Sequence, residues 1–268
     1  MNKEYKINNK IYKFFKRIKY IKKCFVINYL FWISFLFSIH YMSINFGLED
    51  NNNLKVISGL FTTILVMSIG YLIHVISHNT NYIELYNYLL KSDIFIFKIF
   101  KYLPDCIHRI NRYLILHTGD FHDKIHHDSS INKKWYNIIL EGSQNIIMEG
   151  GLIVLLSNIL DFEIKINKQS FKINKVICIF WAFIYVSIHL INYNLLDPNH
   201  HQDHHKNNKT NYGLDLLDIV FDTKYNIKNI ENMNHGTINI IIIFFILVLV
   251  LKSKSNNKII KYIHSLLL

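Results

Sequence analysis

The chain has 268 residues, of which 51% are hydrophobic and 15% aromatic, with only two prolines and nine glycines. This composition can fill a large buried core and excludes a disordered or collagen-like chain. The three cysteines form no CxxC pair, so any metal would be held by nitrogen or oxygen rather than by thiolates. The net charge of +11 suits nucleic acid or an anionic membrane, and long uncharged apolar runs favour the membrane over nucleic acid.

Residues 1–23 form a basic N-terminal arm with nine Lys/Arg and one acid, Glu4. Its apolar residues recur at helical spacing: Ile7, Ile11, Phe14, Phe15 and Ile18. This pattern predicts an amphipathic helix lying on an anionic leaflet, and the alternative is a solvated charged tail. A cleaved signal peptide fits poorly, because the arm is long and no small-residue cleavage site follows.

Four apolar runs follow the arm and predict transmembrane helices arranged as two hairpins. They are residues 24–46, 56–76, 146–160 and 176–191. The third run contains Glu149, which we expect to be paired or to lie at the membrane boundary. The positive-inside rule places the basic arm, and with it the histidine motifs described below, on the cytoplasmic side.

A fifth run, residues 237–251, is the most hydrophobic in the chain but has only 15 residues. Lysines follow it at positions 252, 254, 258 and 261, on the wrong side of the membrane if the run crosses. Crossing, re-entrant and interfacial arrangements are therefore all open for this run.

These observations predict an all-α integral membrane protein with about four transmembrane helices and a cytoplasmic helical cap. The cap would come mainly from residues 79–135, which mix apolar and charged positions. We expect one membrane-embedded domain, residues 24–251, between the arm of residues 1–23 and a basic tail, residues 252–268. In a eukaryotic cell the expected location is the endoplasmic reticulum membrane.

Histidines cluster in three boxes, whereas lysine and asparagine are scattered along the chain. In the first box, His74 and His78 are one helical turn apart, a spacing that also suits polar residues at a membrane interface. In the second, His122 and His126 repeat this spacing, and His127 would be rotated by about 100° around an α-helix. That geometry suits two neighbouring metal ions better than one.

The third box, His201-Gln-Asp-His204-His205, places three rings on one helical face. Asp197-Pro198 predicts the start of this helix, with the acid as N-cap and the proline at the first helical position. His200 extends the box but would point elsewhere.

The three boxes together offer eight imidazoles, which suit two iron, zinc or copper ions with open coordination positions. Acidic residues beside the boxes could accept the second N–H of a ligating ring and set its tautomer. The candidates are Asp123, Asp128 and Asp203. A histidine-rich surface created by biased composition is the alternative, and the clustering of the histidines argues against it.

The sequence after the third box resembles the fatty acid hydroxylase/sterol desaturase superfamily of integral-membrane oxygenases. Asn211-Tyr212-Gly213 and then Asp218-Ile-Val-Phe221-Asp222-Thr223 are similar to the NYG and DxxFGT motifs that follow the HxxHH box of that family. His189, which lies 12 residues before the box, looks like the family's extra histidine. The resemblance covers roughly residues 55–225.

The resemblance implies a di-iron centre, with zinc as a possible substitute, that uses dioxygen to hydroxylate or desaturate a lipid. A separate electron donor, of the cytochrome b5 type or similar, would supply electrons. The implied ligands are the eight box histidines: His74, His78, His122, His126, His127, His201, His204 and His205. His117 and His189 are further candidate ligands, and His235 is more typical of a structural polar residue than of a site residue.

The chain departs from the family pattern at three places. Asp222 replaces the usual glycine, and Asn192 and Asn194 lie where some members have another histidine. The 43 residues between His78 and His122 also exceed the usual short gap. Two other classes remain open: an inactive membrane scaffold of the same fold, and a metal transporter, which would place ligands in mid-span rather than at span ends.

Overall fold

The computed structural model describes residues 3–92, 101–127, 134–160, 163–166, 169–253 and 258–268. The described residues are predominantly helical, which confirms the predicted class at that level. The chain divides into two compact units. The larger unit contains residues 1–71 and 145–268, and the smaller unit contains residues 72–144.

Helices account for most of the described chain and are numbered here in chain order. They are α1 (Lys3–Ile27), α2 (Tyr29–Phe46), α3 (Asn52–Asn79), α4 (Tyr82–Lys91), α5 (Asp105–Leu116), α6 (Trp135–Ile146), α7 (Leu152–Leu160), α8 (Lys175–Ser187), α9 (Tyr193–Leu196), α10 (Asn199–Lys206), α11 (Asp215–Phe221), α12 (Thr237–Lys252) and α13 (Lys258–Leu267). Three π-helical turns occur at His122–His126, Ile147–Gly151 and Ile188–Asn192, and a 3-10 turn occurs at Met233–Gly236.

Among the described residues, five helical segments are long and apolar enough to cross a membrane. They are Tyr29–Phe46, Asn52–Asn79, Trp135–Ile159, Lys175–Leu196 and Met233–Lys252. The number differs from the expected four because the 3-10 turn adds a turn of helix to the 15-residue run and gives it 20 residues in all. The third segment is also longer than expected, since α6, the π turn and α7 are continuous.

The segment between α7 and α8 contains a short β-hairpin, which the sequence analysis did not predict. Strands β1 (Glu163–Ile166) and β2 (Gln169–Lys172) pair antiparallel, with Glu163 opposite Lys172 and Ile166 opposite Gln169. Alternating isoleucine and charged residues in β1 are typical of such a strand. Because the hairpin is only four residues per strand, it changes the connection and not the helical class.

Aromatic side chains form the core of the larger unit. The Phe35 ring stacks on Phe180 at 6.1 Å between centroids and meets Trp181 edge-on at 5.8 Å. Phe31 stacks on Phe35 at 6.0 Å, and all four side chains are at least 98% buried. Since edge-to-face and offset aromatic pairs add to the free energy of burial, these contacts fix α2 against α8.

Helix α1 ends and α2 begins at Asn28, whose amide binds the loop that leads into α12. Its Nδ2 donates to the carbonyl of Glu231 at 3.0 Å, and its Oδ1 accepts from the N–H of Met233 at 2.7 Å. Asn234 returns the contact, donating to the carbonyl of Ile27 at 2.8 Å. The break in the helix is therefore held by residues about two hundred positions later in the chain.

Helices α2 and α12 run side by side in the same direction. The start of α12 lies beside Asn28, and at its end Lys252 Nζ donates to the Tyr41 hydroxyl at 2.6 Å. The segment is one continuous helix from Thr237 to Lys252 and follows α2 along its length. Residues 47–51 and the start of α13 consequently lie at the end of the larger unit away from α1.

We predict that residues at the two ends of the larger unit label from opposite sides of the membrane. Cysteines replacing exposed Asp50 and exposed Lys206 would be tested with a membrane-impermeant maleimide in sealed vesicles. Exposed Cys106 would first be changed to serine, whereas Cys24 and Cys178 are buried and can remain. Labelling of both positions from one side would contradict this arrangement.

Candidate metal centre

The first and second boxes meet inside the smaller unit at the end of α3. The Nε2 atom of His74 lies 3.2 Å from Nε2 of His78 and 2.9 Å from Nε2 of His122. Nitrogen atoms bound to one metal ion at about 2.0–2.1 Å stand roughly 3 Å apart. These three imidazoles therefore fit the ligand geometry of a single transition-metal ion.

The second box adopts a π-helical turn rather than the α-helix assumed from its spacing. The N–H of His127 donates to the carbonyl of His122 at 3.3 Å, an i to i+5 hydrogen bond. A π turn holds more residues than an α turn, so positions i+4 and i+5 fall on either side of position i. Accordingly, the rings of His126 and His127 lie 4.7 and 5.2 Å from the ring of His122, and both face the cluster.

Glu141 is a buried acid beside this cluster that the sequence analysis missed. Its Oε1 lies 3.0 Å from Nδ1 of His126, and both residues are at least 94% buried. A carboxylate in this position can accept the second N–H of a ligating imidazole and raise its basicity, or bind a metal directly. Helix α6 contains no histidine motif, so the only sequence signal for Glu141 was that it is an acid in an otherwise uncharged helix.

The long gap between the first two boxes is occupied by α4 and α5. Tyr86 of α4 donates to Nδ1 of His108 of α5 at 2.7 Å. Asp120, which is 99% buried just before the second box, accepts from the N–H groups of Tyr82 and Ile83 at 2.8 and 3.1 Å. These bonds tie the start of α4 to the turn before His122, so the gap does not separate the boxes in space.

His117 takes a different position from the other candidate ligands of the smaller unit. It follows α5 directly, stacks on Tyr113 at 4.1 Å and donates Nδ1–H to the Tyr113 carbonyl at 2.9 Å. The structure gives it a helix-capping role and does not bring it into the described metal-binding groups.

The surroundings of His122 favour its neutral form. Burial lowers the pKa of His122 well below its ordinary value, and the neighbouring histidines lower it further. Because a metal ion binds the deprotonated nitrogen, a neutral ring is the form needed for coordination. His122 is therefore held in the form that a metal ligand needs.

The third box, on α10, forms a second histidine cluster inside the larger unit. Nε2 of His201 lies 3.0 Å from Nε2 of His205, again the separation expected for nitrogens sharing one ion. The ring of His189, on the third π turn, meets the ring of His201 edge-on at 5.1 Å. The structure therefore brings His189 to the third box.

His204 is held in the tautomer that a ligand requires. Its Nδ1–H donates to the carbonyl of Thr210 at 2.7 Å, so Nε2 is the deprotonated nitrogen of the neutral ring. The residue is 98% buried, so its orientation is fixed by packing as well as by this bond. His204 fits coordination through Nε2.

The motifs after the third box form a hydrogen-bonded turn around Asp218, which is fully buried. Its Oδ1 accepts from the N–H of Tyr212 at 2.9 Å and from the hydroxyl of Thr223 at 2.7 Å. Tyr71, from α3, contacts the same threonine hydroxyl at 2.6 Å. Asn211 donates to the carbonyl of His200 at 3.0 Å and thereby links the turn to α10. In the described structure, these motif residues form hydrogen bonds that hold the turn against α10.

A buried charge cluster lies behind the third box. His200 donates Nε2–H to the carbonyl of Gly213 at 3.0 Å and places Nδ1 2.9 Å from Asp215 Oδ1. Lys224 pairs with the same carboxylate and lies 2.6 Å from His200 Nδ1. As expected, His200 points away from the other box histidines. It belongs instead to a group with Asp215 and Glu231. The Lys224 ammonium contacts both His200 and Asp215 within this group.

The charges in this cluster shift the pKa values of its members. Burial alone would raise the pKa of Asp215, but the hydrogen bond from His200 and the charges of His200 and Lys224 lower it to about 2. Burial raises the pKa of Glu231, and the charges of His200 and Lys224 oppose this rise only in part. The cluster therefore contains a buried ion pair between Asp215 and Lys224, close to His200 of α10.

The expected start of the third-box helix requires two corrections. The helix begins at Asn199, so Pro198 is not its first helical residue. Pro198 occupies the N-cap position, so Asp197 is not the N-cap either. Asp197 adopts a left-handed conformation with φ 44°, and its carboxylate accepts from the Gln202 amide at 2.9 Å. The proline places its preceding residue outside the helix, which displaces the predicted start by one position.

The three proposed acidic partners of the ligands have different outcomes. The side chain of Asp123 and the whole of Asp128 lie outside the described residues. Asp203 is half-buried and lines a polar pocket of about 300 Å³ together with His200, Glu231 and His235. Of the described contacts, none joins the Asp203 carboxylate to a box histidine.

The departures from the family pattern are accommodated locally. Asp222 adopts φ 64°, a left-handed conformation that glycine takes without steric penalty and that aspartate tolerates. Asn192 donates to Nδ1 of His235 at 2.8 Å and exchanges hydrogen bonds with Asn239. Asn194 only donates to the carbonyl of Leu190 within its own helix. The two asparagines and His235 thus form structural contacts.

Glu149 is paired inside the bundle, one of the two arrangements expected for it. The indole N–H of Trp181 donates to its Oε2 at 3.0 Å. Gly70 of α3 makes room for the carboxyl group, since a Cβ on residue 70 would overlap it. The glycine in this span therefore reflects a close approach between helices.

We predict that Glu141→Gln weakens metal binding about 10–100-fold, because the carboxylate that orients His126 is lost while its shape is kept. The measurement is metal retained by the purified protein against increasing chelator. Glu84→Gln, an exposed acid in the same unit, is the matched control and should behave as the unmodified protein. Equal retention in both variants would show that Glu141 does not act on the metal.

We predict that Asp215→Asn lowers the free energy of unfolding by about 3–5 kcal/mol, because it leaves Lys224 buried without its carboxylate. A carboxyl whose pKa is lowered stabilises the fold above its ordinary pKa of 3.8, so the loss is fully present at neutral pH. Denaturation in detergent measures it. Half-buried Asp203→Asn should change stability by less than about 0.5 kcal/mol, and equal effects would contradict the assignment.

Comparison with models of known protein families finds no match, and neither curated proteins nor solved structures yield a similar chain. A function for this chain therefore rests on the chemistry of the two histidine clusters and of the helices that carry them.

Proposed function

We propose that this protein is a membrane-bound oxygenase that carries two iron ions and oxidises a lipid. The observation that carries the proposal is the convergence of the His74, His78 and His122 Nε2 atoms at the end of an apolar helix. Their separations are those of nitrogens around one ion, and imidazole without thiolate suits iron, with zinc as a substitute.

The third box supports a second set of ligands with the same chemistry. His201 and His205 present Nε2 atoms 3.0 Å apart, and the tautomer of His204 makes its Nε2 the nitrogen that can bind a metal ion. The Thr210 carbonyl accepts the other N–H of His204, which is the support that a ligating histidine usually has. In the proposal the histidines of all three boxes supply the ligands, with Glu141 as an additional candidate.

The location of the clusters supports a lipid as substrate. The first box ends one of the five helices that can cross a membrane, and His189 lies within another. A lipid can reach such positions from the bilayer without leaving an apolar environment. We propose that four or five of these helices span the membrane, with the boxes and α1 on the cytoplasmic side where a separate electron donor of the cytochrome b5 type can dock.

Bound iron would supply the activation of dioxygen and the removal of hydrogen from an unactivated C–H bond. The protein's own contribution is to hold neutral imidazoles in one tautomer and to exclude water through burial of the clusters. Hydroxylation consumes dioxygen, two electrons and two protons and releases one water. Hydroxylation and desaturation use the same ligand chemistry, so the proposal covers both.

We predict that His204→Ala abolishes lipid oxidation, because no neighbour can supply the lost nitrogen. His40→Ala and His264→Ala are matched controls: His40 is exposed on α2, and His264 donates to the carbonyl of Val250 on α12. Both should keep activity within a few-fold. The readout is lipid-product analysis together with iron and zinc content on the same samples.

The same experiment separates the competing functions. Two metal ions per chain with oxidised lipid support the proposal, and one ion or none in a folded sample overturns it. Two ions without any lipid product would favour an inactive scaffold. Metal uptake into vesicles that His204→Ala abolishes would favour a transporter. Equal loss of activity in the box and control variants would show that the box geometry is not specific.

A further inference from the structure

Helix α1 carries a set of exposed side chains that the proposed oxygenase does not use. In its described part, large apolar residues are strongly exposed, at 61% for Phe14, 63% for Phe15 and 44% for Ile18. Exposed lysines alternate with them along the helix: Lys16, Lys19, Lys22 and Lys23. Aromatic residues exposed to water are costly unless another surface covers them.

The other face of α1 is fastened to the larger unit. Arg17 Nη2 lies 2.7 Å from Asp222 Oδ2, and Lys23 Nζ donates to the carbonyl of Lys228 at 3.3 Å. Cys24 and Asn28, at the end of the helix, are at least 98% buried. The exposed face is therefore held in a fixed orientation and is not a free tail.

Asp222 contributes to this fastening at a conformational cost. It has φ 64°, a conformation in which glycine has no steric penalty and aspartate has a small one. Glycine at this position would keep the turn but could not pair with Arg17. The aspartate thus links α1 to the turn that follows the third box.

The charge of the exposed face identifies its partner. Residues 14–27 contain five cationic side chains and no acid, and Arg17 is the one neutralised by Asp222. An open groove of about 330 Å³ is lined by Phe15, Lys16, Lys19 and Tyr20. Lysines with interleaved aromatic residues on one helix are the pattern that binds anionic lipid headgroups while its apolar side chains enter the acyl boundary.

We propose that the exposed face of α1 is a docking surface for anionic phospholipids of the surrounding bilayer, latched to the third-box turn by the Arg17–Asp222 pair. The proposal goes beyond the oxygenase chemistry and does not depend on it. Anionic headgroups neutralise Lys16, Lys19 and Lys22, and Phe14, Phe15 and Ile18 bury their exposed area in the membrane. When the lipid contact is lost, residues 14–22 are held mainly by the Arg17–Asp222 ion pair.

The first test places an environment-sensitive fluorophore at Phe15→Cys in the full-length Cys106→Ser chain. The protein is compared in nanodiscs of phosphatidylcholine alone and of phosphatidylcholine with phosphatidylserine. Phosphatidylserine should shift the emission to the blue and reduce quenching by uncharged acrylamide about twofold or more. Equal quenching in the two lipid compositions would overturn the proposal.

A matched pair of charge variants tests the role of the lysines. Lys16→Gln, Lys19→Gln and Lys22→Gln together should abolish the effect of phosphatidylserine. The control removes three exposed lysines elsewhere in the same unit, Lys206, Lys209 and Lys228, and should retain it. If both triple variants lose the effect equally, net charge rather than α1 is responsible, and the docking surface is wrong.

The latch is tested with Asp222→Gly, which removes the ion pair and the unfavourable conformation together. In phosphatidylcholine alone, trypsin should cut after Lys19 and Lys22 several-fold faster than in the unmodified chain. With phosphatidylserine the two rates should converge, because the lipid then holds the helix. An unchanged thermal midpoint shows that the fold is intact, and equal cleavage in phosphatidylcholine would refute the latch.

Discussion

Lone pairs of neighbouring imidazoles repel one another, yet each of the two units holds several imidazoles with their nitrogens about 3 Å apart. His74 Nε2 faces two other Nε2 atoms at about 3 Å, and a single proton can bridge only one of these pairs well. Such an arrangement is stable only if the surroundings fix the rings or if a cation satisfies the nitrogens. In the smaller unit, Asp120 ties α4 to the turn before His122 and Glu141 contacts His126, which contributes to the first condition. The proposed metals would provide the second.

The π-helical turns are the backbone feature that makes these arrangements possible. One contains His122 and His126, a second contains Glu149, and a third contains His189. Each adds a residue to one turn of an otherwise regular helix and rotates the side chains that follow. Neither a hydrophobic pattern nor a motif spacing signals a π turn, because both assume the α-helical period.

The sequence was informative where chemistry is encoded by residue type and spacing. It predicted the helical class and the basic arm as a helix, and it indicated the histidines of the first two boxes and, separately, those of the third box with His189. It did not predict the contribution of Glu141, because a single acid in a helix has no local signature and its partner lies in another segment. Likewise, the length of the fifth apolar helix was underestimated, since the turn that extends it contains asparagine, histidine and glycine.

The sequence also misplaced details that depend on long-range contacts. The start of α10 shifted from Asp197 because the chain turns through a left-handed conformation there, and the carboxylate bonds to Gln202 instead of to the helix. Asp222 adopts a left-handed conformation and pairs with Arg17, a partner that its sequence neighbourhood does not indicate. Both outcomes depend on residues that are brought together only by the fold.

The clamp at Asn28 has a consequence for how the protein is made. Its partners, Glu231 and Met233, are synthesised about two hundred residues after it, so the clamp can close only after these later residues have left the ribosome. Contacts of such high sequence separation form late and limit the rate of folding. Helices α1 and α2 therefore form before the clamp can hold them, and the clamp closes only when the segment leading into α12 packs beside α2.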